Sequence, residues 1–241
     1  MPAKLLVEKE VSQELGIVID KLQQRLYVYR EGKLFSTLLC STGYPRSDTP
    51  FNETPAGEFL AISWTGGFWS NNLFCDMGIR INDGILLHEV PCRIRVNEET
   101  GEEAKDYSRC LPYLGEKASH GCIRIQVDKT PQGCNMKWLW DNLPRKGATK
   151  VMIWDEVGRS LGYPDADYPL YYNPDGGKQY HSDPRCLLVS ERFWPLTAFT
   201  WGELEEEGFS HLTRCPGCAP QLRMTEIDTV NEKNNRRVNV R

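Results

Sequence analysis

Short runs of β-branched, aromatic and aliphatic residues fill the first 155 residues of the chain and predict a strand-rich domain. The runs 15–20 and 25–30 flank a short turn, and a third strand is predicted over 34–42. The segment 43–50 is dense in proline, serine and aspartate and is predicted to be a loop, while Gly66 and Gly67 predict a break. Further strands are predicted over 57–63, 84–88, 92–96, 122–127 and 149–154.

The segment 131–143 has the period of an amphipathic helix. Its apolar residues follow the i, i+3, i+4, i+7 spacing, at Met136, Leu139, Trp140 and Leu143. Thr130 is the expected N-cap, Pro131 suits the first helical position, and Pro144 and Gly147 are expected to end the helix. Many short strands with one helix predict a mainly β fold, a sandwich or barrel with that helix packed on it.

The character of the sequence changes after residue 156. The segment that follows is rich in glycine, proline and aspartate. After it come a hairpin signal at 175–177 and a capping-box spacing at Thr200 and Glu203. We predict a catalytic β domain over 14–156, a linker over 157–169, a small α+β module rich in cysteine and histidine over 170–224, and a polar, frayed tail over 225–241.

Composition narrows the function classes. The formal net charge of −4 does not favour a nucleic-acid-binding protein, which usually carries a basic stripe. No segment reaches the roughly 20 apolar residues of a membrane span. Residues 1–15 alternate charged and apolar side chains and lack the apolar run of a signal peptide, so either the protein stays inside the cell or a leader is missing.

The hexapeptide 119–124, Ser-His-Gly-Cys-Ile-Arg, carries the strongest chemical signal. A cysteine acts as a nucleophile when a base accepts its proton and backbone N–H groups stabilise the oxyanion, and Gly121 allows a carbonyl to approach the backbone closely. His88 ends an apolar strand that can aim it at Cys122. By spacing alone, a buried unreactive thiol remains the commoner role for a cysteine.

The chain resembles the L,D-transpeptidase (YkuD-type) catalytic domain family over about residues 14–155. The resemblance rests on the motif 119–124, on Leu87-His88, and on matching segments in order, at 16–20, 26–29, 41–43, 54–59 and 147–153. Two departures stand out. Thirty residues separate His88 from Ser119, with an acidic inserted loop predicted at 97–107, and Glu89 stands where the family often has glycine or serine.

The resemblance implies a role for each residue of the motif. Cys122 would attack the donor stem peptide, and His88 would accept the thiol proton. Ser119, His120 and Gly121 would form the turn, with the N–H groups of 120–122 as oxyanion donors. Arg124 would bind a substrate carboxylate, and a salt bridge within the sheet is the equally weighted alternative. His120 would orient the turn rather than act as the base.

The function implied is the formation of 3→3 cross-links in peptidoglycan, with release of the terminal D-Ala of the donor and without a catalytic cofactor. A hydrolytic L,D-carboxypeptidase acting on the same stem peptides and a non-catalytic cell-wall binding protein are the alternatives. The partner implied is the peptidoglycan stem peptide, and the location implied is extracytoplasmic, in the cell wall or periplasm.

The chain has nine cysteines and four histidines. Three of these cysteines and one histidine form a second pattern near the C-terminus, namely His181, Cys186, Cys215 and Cys218. A Cys-x-x-Cys pair with a distant His/Cys pair fits tetrahedral zinc with a structural role, and is similar to small Cys/His modules ending in Cys-x-x-Cys-x-Pro. A disulfide from Cys186 to Cys215 or Cys218 is the alternative in an exported protein. The remaining five cysteines are expected to be plain thiols.

Overall fold

The computed structural model describes residues 11–145 and 148–238, which fall into two compact units. One unit lies within 11–127 and 132–155, and the other within 128–131 and 156–238. The strands of the first unit are β1 (Val11–Asp20), β2 (Arg25–Arg30), β3 (Lys33–Ser41), β4 (Gly57–Ala61), β5 (Ser63–Ser70), β6 (Leu73–Arg80), β7 (Leu86–Glu89), β8 (Arg93–Val96), β9 (Glu103–Asp106), β10 (Ile123–Ile125) and β11 (Ala148–Trp154).

Nine of these strands form one mixed sheet that curls into a half-barrel. The strand order is β4-β11-β1-β2-β3-β10-β7-β6-β5, and β8 pairs with β9 in a separate ribbon. The core consists of apolar residues that alternate along the strands, such as Ile17, Leu26 and Leu87, all at most 2% exposed. The mainly β prediction is therefore confirmed.

Helix α1 (Met136–Asn142) packs on this core but is shorter than predicted. It begins at Met136 because Asn135, not Thr130, is the N-cap, with its side chain accepting a hydrogen bond from the Trp138 N–H at 2.9 Å. Gly133 has a φ of +78°, which a helix does not accommodate. The predicted contacts of Met136, Leu139 and Leu143 with the core are confirmed, and Gly147 lies outside the described residues.

One break was predicted wrongly, and the strands β6 and β9 were missed. Strand β5 runs through Gly66 and Gly67, since Gly67 makes room for the Phe74 ring, whose Cζ would lie 2.3 Å from an added Cβ. Strand β6 was missed because Met77, with a φ of +56°, interrupts its alternation. The insertion 97–107 is not a plain loop but contains β9, which pairs with β8.

The second unit has its own sheet and core. Its elements are β12 (Pro169–Tyr172), β13 (Gln179–His181), β14 (Thr197–Thr200), β15 (Thr213–Arg214) and α2 (Met224–Val238), in the sheet order β14-β12-β13-β15. The predicted capping box of Thr200 and Glu203 opens a 3-10 turn at Trp201–Glu203. Another 3-10 turn of this unit lies at Glu191–Phe193, and two turns of the first unit lie at Pro50–Asn52 and Leu111–Tyr113.

Two boundaries of the predicted domains need correction. The segment 225–241 is not a frayed tail over its described part, because α2 occupies it and buries Ile227 against the second core. The expected linker 157–169 packs on the second unit, where the Leu161 N–H donates to Asn231 Oδ1 of α2 at 2.7 Å. Residues 239–241 lie outside the described residues. No helix among the described residues is long and apolar enough to span a membrane.

Candidate active site and cysteine–histidine centre

The Ser119–Cys122 turn is held by its own hydrogen bonds. The Ser119 hydroxyl donates to the Cys122 carbonyl and accepts from the Gly121 N–H at 3.1 Å. The Gly121 carbonyl in turn accepts from Thr54 Oγ1 at 2.6 Å. Because its N–H is engaged, Gly121 is not available as an oxyanion donor, which corrects the expectation for one of the three N–H groups of 120–122.

Gly121 is required at its position by backbone conformation. Its φ is +120°, a region that residues with a side chain rarely adopt, and an added Cβ would lie 3.0 Å from Ile85 Cδ1. The turn therefore delivers Cys122 at the start of β10 with a fixed orientation. His120 points outward and is exposed, whereas the Cys122 side chain is partly exposed.

The strand pairing brings Cys122 and His88 to one face of the sheet. Strands β10 and β7 are parallel, with Arg124 opposite His88 and Ile123 opposite Leu87. Since side chains alternate along a strand, Cys122 shares the face of Arg124 and His88, while Ile123 points into the core. The sequence motif and the distant histidine are thus neighbours in space.

The imidazole of His88 is held in one orientation. It is 3% exposed, its Nδ1 lies 2.7 Å from the Glu89 carbonyl oxygen, and the Phe68 ring meets it edge-on with centroids 5.5 Å apart. A carbonyl only accepts hydrogen bonds, so Nδ1 carries the proton and Nε2 keeps its lone pair. Burial, offset by this bond and reinforced by the Arg124 charge, lowers the pKa of His88 to about 4.

The charge state of Cys122 follows from the same surroundings. Burial raises the pKa of the thiol, while a hydrogen bond from the Leu86 backbone and the charges of Arg124 and Arg80 act to lower it. At neutral pH the imidazole is therefore neutral and the thiol is protonated, with the thiol 3.6 Å from the Gly84 carbonyl oxygen to which it donates. The arrangement suits a base that accepts the proton as the sulfur attacks, rather than a preformed thiolate–imidazolium pair.

Arg124 has no charged partner among residues 11–145 and 148–238. Its guanidinium forms no ion pair or side-chain hydrogen bond with any residue that the structure describes, which argues against the salt-bridge alternative. Arg80 of β6 lies opposite Leu86 of β7, and its guanidinium donates to the Asp83 carbonyl. It adds a second positive charge that acts on Cys122. A negatively charged group of a ligand would balance both charges.

Sequence reasoning missed a network behind His88. The Glu89 side chain is buried and accepts hydrogen bonds from Lys105 Nζ and Tyr107 Oη, both at 2.7 Å. Lys105 also pairs with Asp76 at 2.5 Å. The only signal in the sequence was the unusual Glu89 and the insertion, and neither reveals that Lys105 reaches Glu89.

The four predicted metal ligands converge in the second unit. Ligand atoms of His181, Cys186, Cys215 and Cys218 all lie within 4.8 Å of one another. The parallel strands β13 and β15, with Tyr180 opposite Arg214, deliver His181 and Cys215 at matching ends. The cluster can hold a metal ion, and the described cysteines are all free thiols without a disulfide.

The spacing within this cluster has the dimensions of a tetrahedral site. The Cys186 and Cys215 sulfurs are 3.7 Å apart, and the Cys218 sulfur is 3.6 Å from His181 Nδ1. Tetrahedral zinc with a Zn–S distance of about 2.3 Å and a Zn–N distance of about 2.05 Å separates two sulfurs by about 3.8 Å, and sulfur from nitrogen by about 3.6 Å. A disulfide requires about 2.05 Å.

The remaining cysteines are plain buried thiols, as expected. Burial raises the pKa of Cys75 and of Cys134 to about 12, which makes both unreactive. Cys40, Cys92 and Cys110 are also buried. Among the cysteines of the first unit, Cys122 is therefore distinguished by its partial exposure.

Comparison with known proteins gives one family. The sequence model of the YkuD family, the L,D-transpeptidase catalytic domain, matches residues 14–153. A curated relative, the putative L,D-transpeptidase YciB of Bacillus subtilis (strain 168), is 24% identical over 146 residues, which cover 58% of this chain and 66% of that protein. The chain thus spans just under two thirds of this relative.

Solved structures also show similarity to part of the chain. An L,D-transpeptidase from Mycobacterium smegmatis is 16% identical, with a TM-score of 0.41, over 59% of this chain and 59% of that chain. L,D-transpeptidase 3 from Mycobacterium tuberculosis is also 16% identical, with a TM-score of 0.42, over 59% of this chain and 61% of that chain.

Proposed function

Because the chain belongs to the L,D-transpeptidase catalytic domain family, we propose that it is a cysteine acyltransferase that forms 3→3 cross-links between peptidoglycan stem peptides. One observation carries the proposal. Cys122 and His88 share one face of adjacent strands, and the bond from Nδ1 to Glu89 leaves Nε2 free to accept the thiol proton. A cell-wall substrate implies an extracytoplasmic location.

Acylation follows from this geometry. The Cys122 sulfur attacks the carbonyl carbon of the third residue of a tetrapeptide stem, while its proton passes to His88 Nε2. As the tetrahedral intermediate collapses, the C–N bond to D-Ala breaks, and the imidazolium returns the proton to the leaving amine. The product is a thioester on Cys122 and free D-Ala.

The second half of the reaction regenerates the thiol. An acceptor amine from another stem attacks the thioester carbonyl, and His88 removes a proton from that amine. The C–S bond breaks, an amide forms, and the proton returns to the sulfur. Water in place of the amine would give hydrolysis, which is the L,D-carboxypeptidase alternative.

Backbone and side-chain groups around Cys122 supply the charge stabilisation. Since Ser119 occupies the Gly121 N–H, we assign the N–H groups of His120 and Cys122 to the oxyanion. Arg124, which lacks a charged partner among the described residues, binds a carboxylate of the stem. His120 is exposed and serves the turn rather than proton transfer.

For the second unit, we propose a structural zinc ion held by His181, Cys186, Cys215 and Cys218. The 3.7 Å and 3.6 Å separations support zinc over a disulfide. The Ser182 N–H donates to the Cys218 sulfur at 3.3 Å, a type of contact that orients ligands around metals. A unit with a small core gains stability from such a staple.

Product analysis with a tetrapeptide muropeptide tests the function. We expect D-Ala release together with a cross-linked dimer, and neither product from Cys122→Ala. Free tripeptide without dimer would establish the hydrolytic alternative. Binding of peptidoglycan without D-Ala release would instead establish a non-catalytic wall-binding protein.

A further inference from the structure

The charged network behind His88 takes no part in the steps described above. Glu89 is 5% exposed, yet its carboxylate accepts from both Lys105 Nζ and Tyr107 Oη at 2.7 Å. A buried carboxylate is costly unless it is paired and hydrogen-bonded. A solvent-exposed residue at position 89 would not need these two partners, so their presence indicates a role for the network beyond solubility.

The partners of Glu89 come from the β8–β9 ribbon and the segment that follows it. Lys105 lies on β9 opposite Ile94 of β8, and Tyr107 directly follows β9. The ribbon is largely exposed, and Lys105 ties it to the main sheet through Glu89 and through Asp76 of β6. The insertion thus reaches the residue immediately after His88.

Residue 89 supplies two groups with separate roles. Its carbonyl oxygen accepts the His88 Nδ1–H bond at 2.7 Å, while its carboxylate binds Lys105 and Tyr107. On the other side, β10 holds the strand end, where the Val90 N–H donates to the Ile125 carbonyl at 3.1 Å. The peptide plane that carries the Glu89 carbonyl is therefore held both by the strand ladder and by the ribbon.

We propose that Lys105 and Tyr107 are positioning residues for the catalytic histidine: by anchoring the Glu89 side chain, they fix the carbonyl that sets the tautomer of His88. The proposal rests on the proposed role of His88 as the base. If the carboxylate moved into water, the strand ladder alone would hold the peptide plane, and the Nδ1 bond would weaken. The Nε2–H tautomer, which cannot accept the thiol proton, would then become populated.

Single-turnover acylation of the full chain by a carbapenem tests the proposal. We expect Lys105→Met to lower the limiting acylation rate by about 10- to 100-fold, the usual effect of losing an orienting partner, with little change in the half-saturating concentration. Tyr107→Phe should lower it several-fold, and Lys105→Arg should restore most of the rate.

Arg95→Met is the matched control. Arg95 lies on β8 of the same ribbon and pairs with Asp106 at 2.9 Å, but its side chain is 63% exposed and does not touch Glu89. It should acylate as the wild type does. Equal losses in Arg95→Met and Lys105→Met would show that general ribbon stability is responsible, and would overturn the proposal.

The double variant Glu89→Gln/Lys105→Met removes both charges and so avoids leaving a buried ion unpaired. It should stay folded and still acylate slowly, because Tyr107 alone remains to anchor residue 89. Wild-type rates in this variant, or in Lys105→Met, would refute the positioning role.

The ¹⁵N chemical shifts of the His88 ring give a readout that does not depend on acylation. The wild type should show a protonated Nδ1 and an unprotonated Nε2, and Lys105→Met should show a mixture of tautomers. An unchanged tautomer would refute the proposal even if the rate fell. Absence of any adduct on the wild type would instead count against the proposed function.

Discussion

Two buried histidines lie at or next to the last residue of a strand, one in each unit, and their surroundings differ in a way that suits one to proton transfer and the other to metal binding. His88 ends the apolar run of β7 and is 3% exposed, and His181 ends β13 and is 2% exposed. Nδ1 of His88 faces a carbonyl oxygen, whereas Nδ1 of His181 lies 3.6 Å from the Cys218 sulfur. The partner of one ring nitrogen thus decides what the imidazole can bind.

The two sites also differ in the number of their cysteines and in the direction in which the pKa of a thiol is shifted. Cys122 is a single thiol flanked by Arg124 and Arg80, and burial raises its pKa. Cys218 receives hydrogen bonds from Cys186 and Cys215, which hold the pKa of its thiol below the ordinary value. One thiol on the same sheet face as a histidine with a free Nε2 suits a nucleophile, and three thiols converging with a histidine suit a metal.

Removal of the metal should give the largest effect. Structural zinc contributes on the order of 10 kcal/mol of apparent binding free energy. A strong chelator, or Cys215→Ser, should therefore unfold the second unit, and metal content by mass spectrometry with circular dichroism would record it. Acylation of Cys122 should persist. A second unit that keeps its fold with no metal bound would contradict the zinc site.

Replacing the histidines by alanine, one at a time, sharpens the comparison. His88→Ala should lower D-Ala release by about 100-fold or more, because general-base catalysis contributes 10²–10⁴-fold. His120→Ala should have a weaker effect, since His120 only supports the turn. His181→Ala should lose metal and keep acylation. A His120→Ala variant less active than His88→Ala would show that the base was assigned wrongly.

The pH dependence of acylation isolates His88. Its pKa is lowered from 6.5 to about 4, so the ring stays neutral and able to accept a proton down to that pH. The rate should remain level as the pH falls from 7 to about 5 and should halve near pH 4. An inflection near 6.5 would mean that the ring is solvated rather than buried.

The same lowered pKa has a consequence for stability. In the unfolded chain His88 binds a proton below pH 6.5, while the folded protein resists it until about pH 4. The stabilising contribution of His88 to the free energy of unfolding is therefore complete above pH 6.5 and is lost as the pH falls toward 4. His88→Gln should show a shallower loss over that window in denaturant titrations.

The helix and turn caps should give the smallest effects, one in each unit. Asn135→Ala removes the cap of α1, and Thr200→Ala removes the capping box before Trp201. Each should cost about 1 kcal/mol. Hydrogen exchange should accelerate locally, near 136–142 in the first variant and near 201–204 in the second. Equal acceleration in both segments from either variant would refute the local assignment.

How far the sequence predicts this molecule depends on the range of the interactions involved. The strands 15–20 and 25–30 and the capping box at Thr200 are local patterns, and they were predicted well. The convergence of His181 with Cys215 was predicted because cysteine and histidine side chains in this spacing have few other uses. Strand β6 was missed because a left-handed residue, Met77, interrupts it.

Other features depend on contacts that no local pattern encodes. Helix α1 was predicted five residues too early because Asn135 competes with Thr130 as the cap. Helix α2 is polar in sequence, and burial of Ile227 against the second core stabilises it there. The contacts of Lys105 and Tyr107 with Glu89 join residues 16 and 18 positions apart, and only the folded ribbon reveals them.

The identity of the carbapenem-modified residue tests the central claim most directly. The chain has nine cysteines, so intact mass with peptide mapping discriminates among them. We predict one adduct per chain, on the peptide that contains Cys122, and none on Cys122→Ala, whose free energy of unfolding should change by less than about 1.5 kcal/mol. An adduct on another cysteine, or one that persists in folded Cys122→Ala, would contradict the assignment of Cys122 as the nucleophile.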